Sequence, residues 1–184
     1  MELKVKVPFY FKLQVLCPKR IIQGLIRIFS SLLEAIPDAK LLLIGEDKLK
    51  AEIEAFVKEM NIENNVYFLG RRSDVLQIMA CCDVFVLPSL IEGLPEVILE
   101  SFVNKLPVVA YDVGGIKEIM INNKTGWLID KGDEESFGEA IKVVLTRLNE
   151  DIVENARYLA TAKYSNEIIS KSFLEGFNGI PNRK

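Results

Sequence analysis

The sequence predicts an α/β domain: a doubly wound, Rossmann-like parallel sheet with helices at its C-terminal end. Three observations carry that expectation. Strand-like and helix-like runs alternate along almost the whole chain. The strand-like runs are short and apolar throughout, as in K-L-L-L-I at Lys40–Ile44 and V-F-V-L at Val84–Leu87, the pattern of strands covered on both faces. The runs between them repeat apolar residues with helical period, and parallel strands need such crossovers, which take one hand.

In chain order, Phe11–Leu16 is the first strand candidate. Ile21–Ile36 follows as a helix with apolar residues at 21, 22, 25, 26, 29, 32, 33 and 36, stopped by Pro37-Asp38. Lys40–Ile44 is a strand ended by Gly45. Lys48–Met60 returns to helical spacing, and Asn64-Asn65 makes a turn. Val66–Leu69 is a strand ended by Gly70, after which Ser73 is placed to cap a helix running through Cys82. Val84–Leu87 is a strand. Pro95 suits the first position of a helix reaching Asn104. Pro107–Ala110 is a strand, followed by Asp112-Val113-Gly114-Gly115 and a short helix. Gly126–Ile129 is the last strand, Glu135–Leu148 an amphipathic helix, and 151–178 reads as two more helices. Residues 1–150 are therefore expected to form the Rossmann-like domain and 151–184 its helical extension.

Composition narrows the function classes. With 49% hydrophobic and 27% charged residues over 184 positions, the chain is a folded globular one. Its mean hydropathy of +0.19 fits either a doubly covered sheet or a second apolar surface that faces a partner domain. A net charge of −3 gives no basic surplus for a run of phosphates, so nucleic acid is not expected as a partner. Cys17, Cys81 and Cys82 lack metal-ligand spacing and the chain contains no histidine, so they read as small buried residues of a protein in a reducing cytosol. The N-terminal run carries lysines among its apolar residues and reads as a strand, not a targeting segment. Ile21–Leu33 is too short for a membrane span and contains Gln23 and Arg27.

In open α/β sheets ligands bind beyond the carboxyl ends of the strands, so the loops that matter are Cys17–Arg20, Gly45–Asp47, Gly70–Ser73, Pro88–Pro95 and Asp112–Gly115. The sequence has no GxGxxG, P-loop, HExxH or metal-bridging DxD. Its informative stretch is P-S-L-I-E-G-L-P-E-V-I-L-E at Pro88–Glu100, which leaves a strand, turns at Gly93-Leu94-Pro95 and enters a helix. First-turn amides lack internal partners and the helix dipole is positive there, so a diphosphate or sugar hydroxyl fits. Pro95 has no N–H, leaving Gly93, Leu94 and Glu96 as donors. Glu92 and Glu100 can each accept two hydrogen bonds from a vicinal diol. Pattern alone also places Glu96, Glu100, Ser101 and Asn104 on one solvated helix face. Gly114-Gly115 reads equally as tight packing, Trp127 as core, and Glu46-Asp47 as acids favoured at a helix start.

Glu92 and Glu100 after P-S-L, then K-L-P-V-V-A and D-V-G-G-I-K-E-I, together with P-D-A-K-L-L-L-I-G, N-V-Y-F-L-G-R and D-V-F-V-L-P-S, resemble the C-terminal domain of the retaining glycosyltransferases of GT-B fold known as family 4 or group 1. The resemblance runs from about Ile22 to Leu145. It implies a nucleotide-diphosphate sugar as co-substrate, no cofactor and no metal, because amides and cationic side chains neutralise the leaving diphosphate. It implies that Glu100 binds the ribose hydroxyls and that Glu92 contacts the transferred sugar at the reacting face as the catalytic position. Gly93 and Leu94 would hold diphosphate and sugar hydroxyls, and the backbone at Gly70 and Arg71 would line the base pocket. Glu118 matches a family glutamate and reads as structural, holding the glycine turn.

Two departures qualify the match. Where the family carries an arginine that reaches the diphosphate, this sequence has Val15, and Lys19 or Arg20 falls at the position of a second cation; a solvated loop before a helix explains those two equally well. The family also closes a second, N-terminal domain over the site, which binds the acceptor and supplies a histidine. This chain starts at the donor half, so an N-terminal acceptor domain or subunit is the expected partner. The isolated chain is expected to be an inactive part of a hexosyl-transferring, cytoplasmic enzyme with at most peripheral membrane contact. The alternatives are a non-catalytic nucleotide-sugar or partner-binding module, and a GT-B-like epimerase or phosphorylase, against which the E-G-L-P elbow argues.

Overall fold

The structure, a computed structural model, describes residues 19–45, 49–147 and 149–164. The strand expected at Phe11–Leu16, the Val15 position and the helix expected beyond Tyr164 lie outside them.

The elements appear in the expected order. Helix α1 spans Lys19–Ala35, β1 Leu41–Ile44, α2 Lys50–Glu59, β2 Val66–Gly70, α3 Val75–Ala80 and β3 Phe85–Leu87. Then come α4 Glu96–Val103, β4 Val108–Tyr111, α5 Ile116–Ile119, β5 Trp127–Ile129, α6 Glu134–Thr146 and α7 Glu150–Lys163. Every residue of β1, β3 and β4 is buried. Successive side chains of a strand point to opposite faces, so complete burial means both faces are covered, as their unbroken apolar runs require.

All strand pairings among the described residues are parallel. β1 pairs with β2 from Leu41 opposite Val66, with a register shift after Leu43 that sets Ile44 against Gly70. β3, β4 and β5 form a second group in that order, with Phe85 opposite Val108 and Val109 opposite Trp127. Among the described residues the expected single sheet is thus two parallel sheets. Helix α1 packs on α2 and α6, α6 on β4 and β5, and α4 on both β4 and α7. Trp127 is buried, the core role its apolar strand implies. Phe137 of α6 is fully buried and meets the Tyr111 ring edge-on, with centroids 4.7 Å apart.

Two helix starts differ from expectation. Ser73 does not cap α3; the N-cap is Asp74, and the helix ends at Ala80, not Cys82. The Asp74 carboxylate makes no cap bond because it accepts from Arg72 Nε and Nη2, at 2.8 and 2.6 Å. Pro95 is not the first residue of α4 but its N-cap, with an extended ψ of 101°. Its carbonyl accepts the Ile98 amide at 3.0 Å and opens the helix. Helix α6 begins with a true side-chain cap, the Asp133 carboxylate accepting the Ser136 amide at 2.9 Å.

Candidate functional site

The carboxyl ends of β1, β2, β3 and β4 lead into the loops that the sequence singled out. The connection from β3 to α4 is the centre of the arrangement. Beyond Leu87 the chain stays buried through Ser89, emerges at the exposed Ile91, and reaches Pro95 through Glu92, Gly93 and Leu94.

What holds this elbow is the glycine pair after β4. Gly114 has φ +55°, and a Cβ built on it would lie 1.8 Å from the Glu92 carbonyl oxygen. A Cβ on Gly115 would lie 2.5 Å from the Gly93 oxygen, to which the Gly115 amide donates at 2.9 Å. Both glycines are therefore required by backbone packed on backbone. Glu118 supports the turn through its amide, which donates to the Gly115 carbonyl at 3.0 Å. Its carboxylate makes no hydrogen bond or ion pair among the described residues.

Gly93 is the opposite case. A Cβ there would meet nothing within 4 Å. The amides of Gly93 and Leu94 donate to no group among the described residues, and both residues are exposed. The elbow thus presents two unbonded N–H groups and open space beside the half-buried Glu92, at the positive end of α4. An anion or a hydroxylated ligand can meet those donors without displacing protein.

Glu100 lies on α4 and lines a cleft of about 280 Å³ with Gly45, Arg71, Ser73 and Leu76. Here the ends of β1 and β2 meet the side of α4. Gly70 closes β2 with φ +61°, a backbone state that suits glycine, and Arg71 follows it into the cleft. The neighbouring Arg72 is engaged by Asp74: their hydrogen bonds hold the guanidinium above and the carboxyl below its ordinary value. Arg71 has no such partner among the described residues. The cleft so combines one available guanidinium, one carboxylate and the apolar side chains of Ile44, Val75 and Leu76.

The predicted residues fall into two groups. Glu92, Gly93 and Leu94 form the elbow, while Glu100 and Arg71 share the cleft that Gly70 introduces. Lys19 and Arg20, expected in a loop ahead of the helix, instead form the first turn of α1. Sequence reasoning missed Tyr111, Gln23 and Gly24, which line a second cleft with Pro88 and Leu90. Their apolar or helical neighbourhoods gave no polar signal. No three His, Cys, Asp or Glu side chains gather as a metal-holding group among the described residues. No helix among them is long and apolar enough to cross a membrane.

Comparison with known proteins identifies the family and the fold. The family described as "Glycosyl transferases group 1" matches residues 2–158. The chain is 35% identical over 121 residues to an Escherichia coli UDP-Gal:alpha-D-GlcNAc-diphosphoundecaprenol alpha-1,3-galactosyltransferase, covering 65% of this chain and 30% of that protein. It is 30% identical over 154 residues to the Bacillus anthracis N-acetyl-alpha-D-glucosaminyl L-malate synthase, covering 83% and 40%. Among solved structures, Anabaena HepE in complex with UDP-glucose superposes with a TM-score of 0.81 at 24% identity, over 94% of this chain and 49% of that one. The chain therefore spans less than half the length of these proteins. With the family match covering most of its residues and its fold shared with GT-B glycosyltransferases, this chain belongs to the glycosyl transferases of group 1.

Proposed function

We propose that this chain is the donor domain of a retaining glycosyltransferase, binding a nucleotide-diphosphate sugar at the α4 elbow. The observation that carries the proposal is the pair of unbonded amides at Gly93 and Leu94, held open beside Glu92 by the Gly114-Gly115 contact. These donors sit where negative charge develops as the sugar leaves its diphosphate, and fixed donors need no reorganisation at that moment. Lys19 and Arg20, in the first turn of α1, are the nearest cations in sequence to the family's phosphate-binding position. No metal is called for in this arrangement.

The remaining roles are those that the resemblance to group 1 enzymes implies. Glu100 accepts hydrogen bonds from the ribose diol. The backbone at Gly70 and Arg71 borders the base. Glu92 contacts the transferred sugar at the reacting face. In the reaction the anomeric carbon–diphosphate bond breaks, the nucleoside diphosphate departs, and the acceptor oxygen bonds on the face the leaving group held, losing its proton. The acceptor is held by a second domain or subunit, without which the chain binds donor but transfers nothing. A UDP-sugar is the first donor to test: the E. coli relative is named for UDP-Gal, and HepE is seen with UDP-glucose.

The test is a titration of the purified chain with UDP, GDP, ADP and their sugar conjugates by ligand-observed NMR, with Glu100→Ala beside the wild type. One nucleotide should bind, and the variant should lose it. Binding of none at millimolar levels, or equal binding by the variant, would defeat the proposal. Robust sugar transfer by the isolated chain would contradict the need for an acceptor domain.

A further inference from the structure

A second cleft, of about 310 Å³, opens at the carboxyl ends of β3 and β4, walled by α1 and the start of α6. Its volume is at the lower end of the range for small-molecule sites, about 300–1,000 Å³. The role given to the elbow and the Glu100 cleft uses none of its polar side chains.

Tyr111 is the telling residue. It is the last residue of β4, its side chain is buried at 3% exposure, and its ring is fixed against Phe137. It nevertheless lines the cleft, and its hydroxyl has no hydrogen-bond partner among the described residues. No buried side-chain nitrogen or oxygen among the described residues lacks a partner, so this hydroxyl reaches the open cleft, where it can exchange water for a ligand hydroxyl. Burial, followed by the charges of Glu134 and Asp133, pushes the phenol up to about 12. It therefore remains a neutral donor and acceptor.

The walls are polar without being charged overall. Arg27 donates from Nε to Glu134 Oε2 at 2.9 Å and from Nη2 to Glu134 Oε1. That fork cancels both charges and leaves the Arg27 Nη1 group unbonded among the described residues. A Cβ at Gly24 would lie 2.9 Å from Glu134 Oε1, so the carboxylate tip must shift to admit one. Gln23 adds an amide, and Pro88 and Leu90 add an apolar surface.

We infer that this cleft is a subsite for a neutral, hydroxyl-rich ring, a saccharide unit not carried on a nucleotide, with the Tyr111 hydroxyl as its central contact. A pyranose offers hydroxyls at its rim and a C–H face, matching the polar groups and the Pro88–Leu90 surface respectively. The neutralised fork offers no reward to an anion. The site adjoins the elbow through Pro88 and Leu90, which lead into Glu92. It does not depend on the nucleotide reading.

The test uses saturation-transfer NMR on the whole chain with methyl glycosides of glucose, galactose and N-acetylglucosamine as probes. At least one glycoside should bind the wild type and bind Glu100→Ala equally. Tyr111→Phe keeps the ring on Phe137 and removes one hydrogen bond, so binding should weaken about three- to tenfold with nucleotide binding unchanged. Gly24→Ala, which favours the helix but displaces Glu134, should weaken it as well. Glycoside binding unaffected by both substitutions, no binding of any probe at millimolar levels, or displacement of the glycoside by UDP-glucose overturns the inference. Loss of nucleotide binding from the wild type with retained glycoside binding would sink the donor-domain reading and leave this one standing.

Discussion

Gly114→Ala strikes the contact that shapes the elbow, and its cost divides into two parts. The first is conformational: φ is +55°, and an L-residue in the left-handed region costs about 1–2 kcal/mol. The second is steric: the new Cβ would lie 1.8 Å from the Glu92 carbonyl oxygen, so one backbone segment must retreat by more than an ångström. Overpacking of that kind costs about 1–3 kcal/mol. Gly70→Ala separates the parts, since φ there is +61° and its Cβ would meet nothing within 4 Å. Urea unfolding without ligand should show a loss of about 1–2 kcal/mol for Gly70→Ala and about 2–5 kcal/mol for Gly114→Ala. At about 2–4 °C per kcal/mol for a domain of this size, Gly114→Ala should lower Tm by roughly 4–20 °C. Equal losses for the two variants would refute the claim that the glycine turn is packed directly on the elbow.

Other substitutions test the frame around the site. Folding holds the Asp133 carboxyl below its ordinary value through the Ser136 hydroxyl and amide. Its charged cap thus stabilises fully above the ordinary carboxylate range and loses that contribution as pH falls through the folded-state value. The Tm gap between wild type and Asp133→Ala should accordingly be widest near neutrality and shrink in acid; a gap that grows in acid contradicts the cap. Cys82 is pushed up to about 12, mainly by burial and then by Asp83 and Cys81, whereas Cys81 is exposed. Peptide mapping after brief alkylation at neutral pH should find Cys81 modified and Cys82 spared, and the reverse order would contradict the packing of α3. Phe137→Ala should cost about 3–5 kcal/mol in urea unfolding, as for other buried phenylalanines; a loss below 1 kcal/mol would place Phe137 outside the core.

Much of this was legible in the chain because burial and period leave their mark on composition. K-L-L-L-I and V-F-V-L are short apolar runs, which length and flanking residues assign to covered strands, and they appear as β1 and β3. The Glu92–Glu100 stretch was readable because glycine and proline punctuate the passage from strand to helix, although a Cβ at Gly93 would meet nothing within 4 Å and Pro95 stands at the N-cap. What escaped were features decided by partners distant in sequence. Ser73 and Asp74 are both good caps by type, but Arg72 decides how the Asp74 carboxylate is used. Gly114 and Gly115 look alike as turn residues or ligand cradles until the Glu92 and Gly93 carbonyls are seen against them. Tyr111 hides at the end of an apolar strand, and only the assembly of β4 with α1 and α6 turns its hydroxyl into a cleft floor. The Arg27–Glu134 fork joins residues 107 positions apart, beyond the reach of any local pattern.

The central claim is that a nucleotide-diphosphate sugar sits on the α4 elbow, and amide chemical shifts test it most directly. With the chain labelled in nitrogen-15, UDP and then UDP-glucose should be added while the Gly93, Leu94 and Arg71 amides are followed. UDP is predicted to move Arg71 together with the elbow amides, and the added glucose to move Gly93 and Leu94 further, with both responses lost in Glu100→Ala. Shifts confined to other surfaces, or an elbow that does not respond to a ligand bound elsewhere on the chain, would contradict the account.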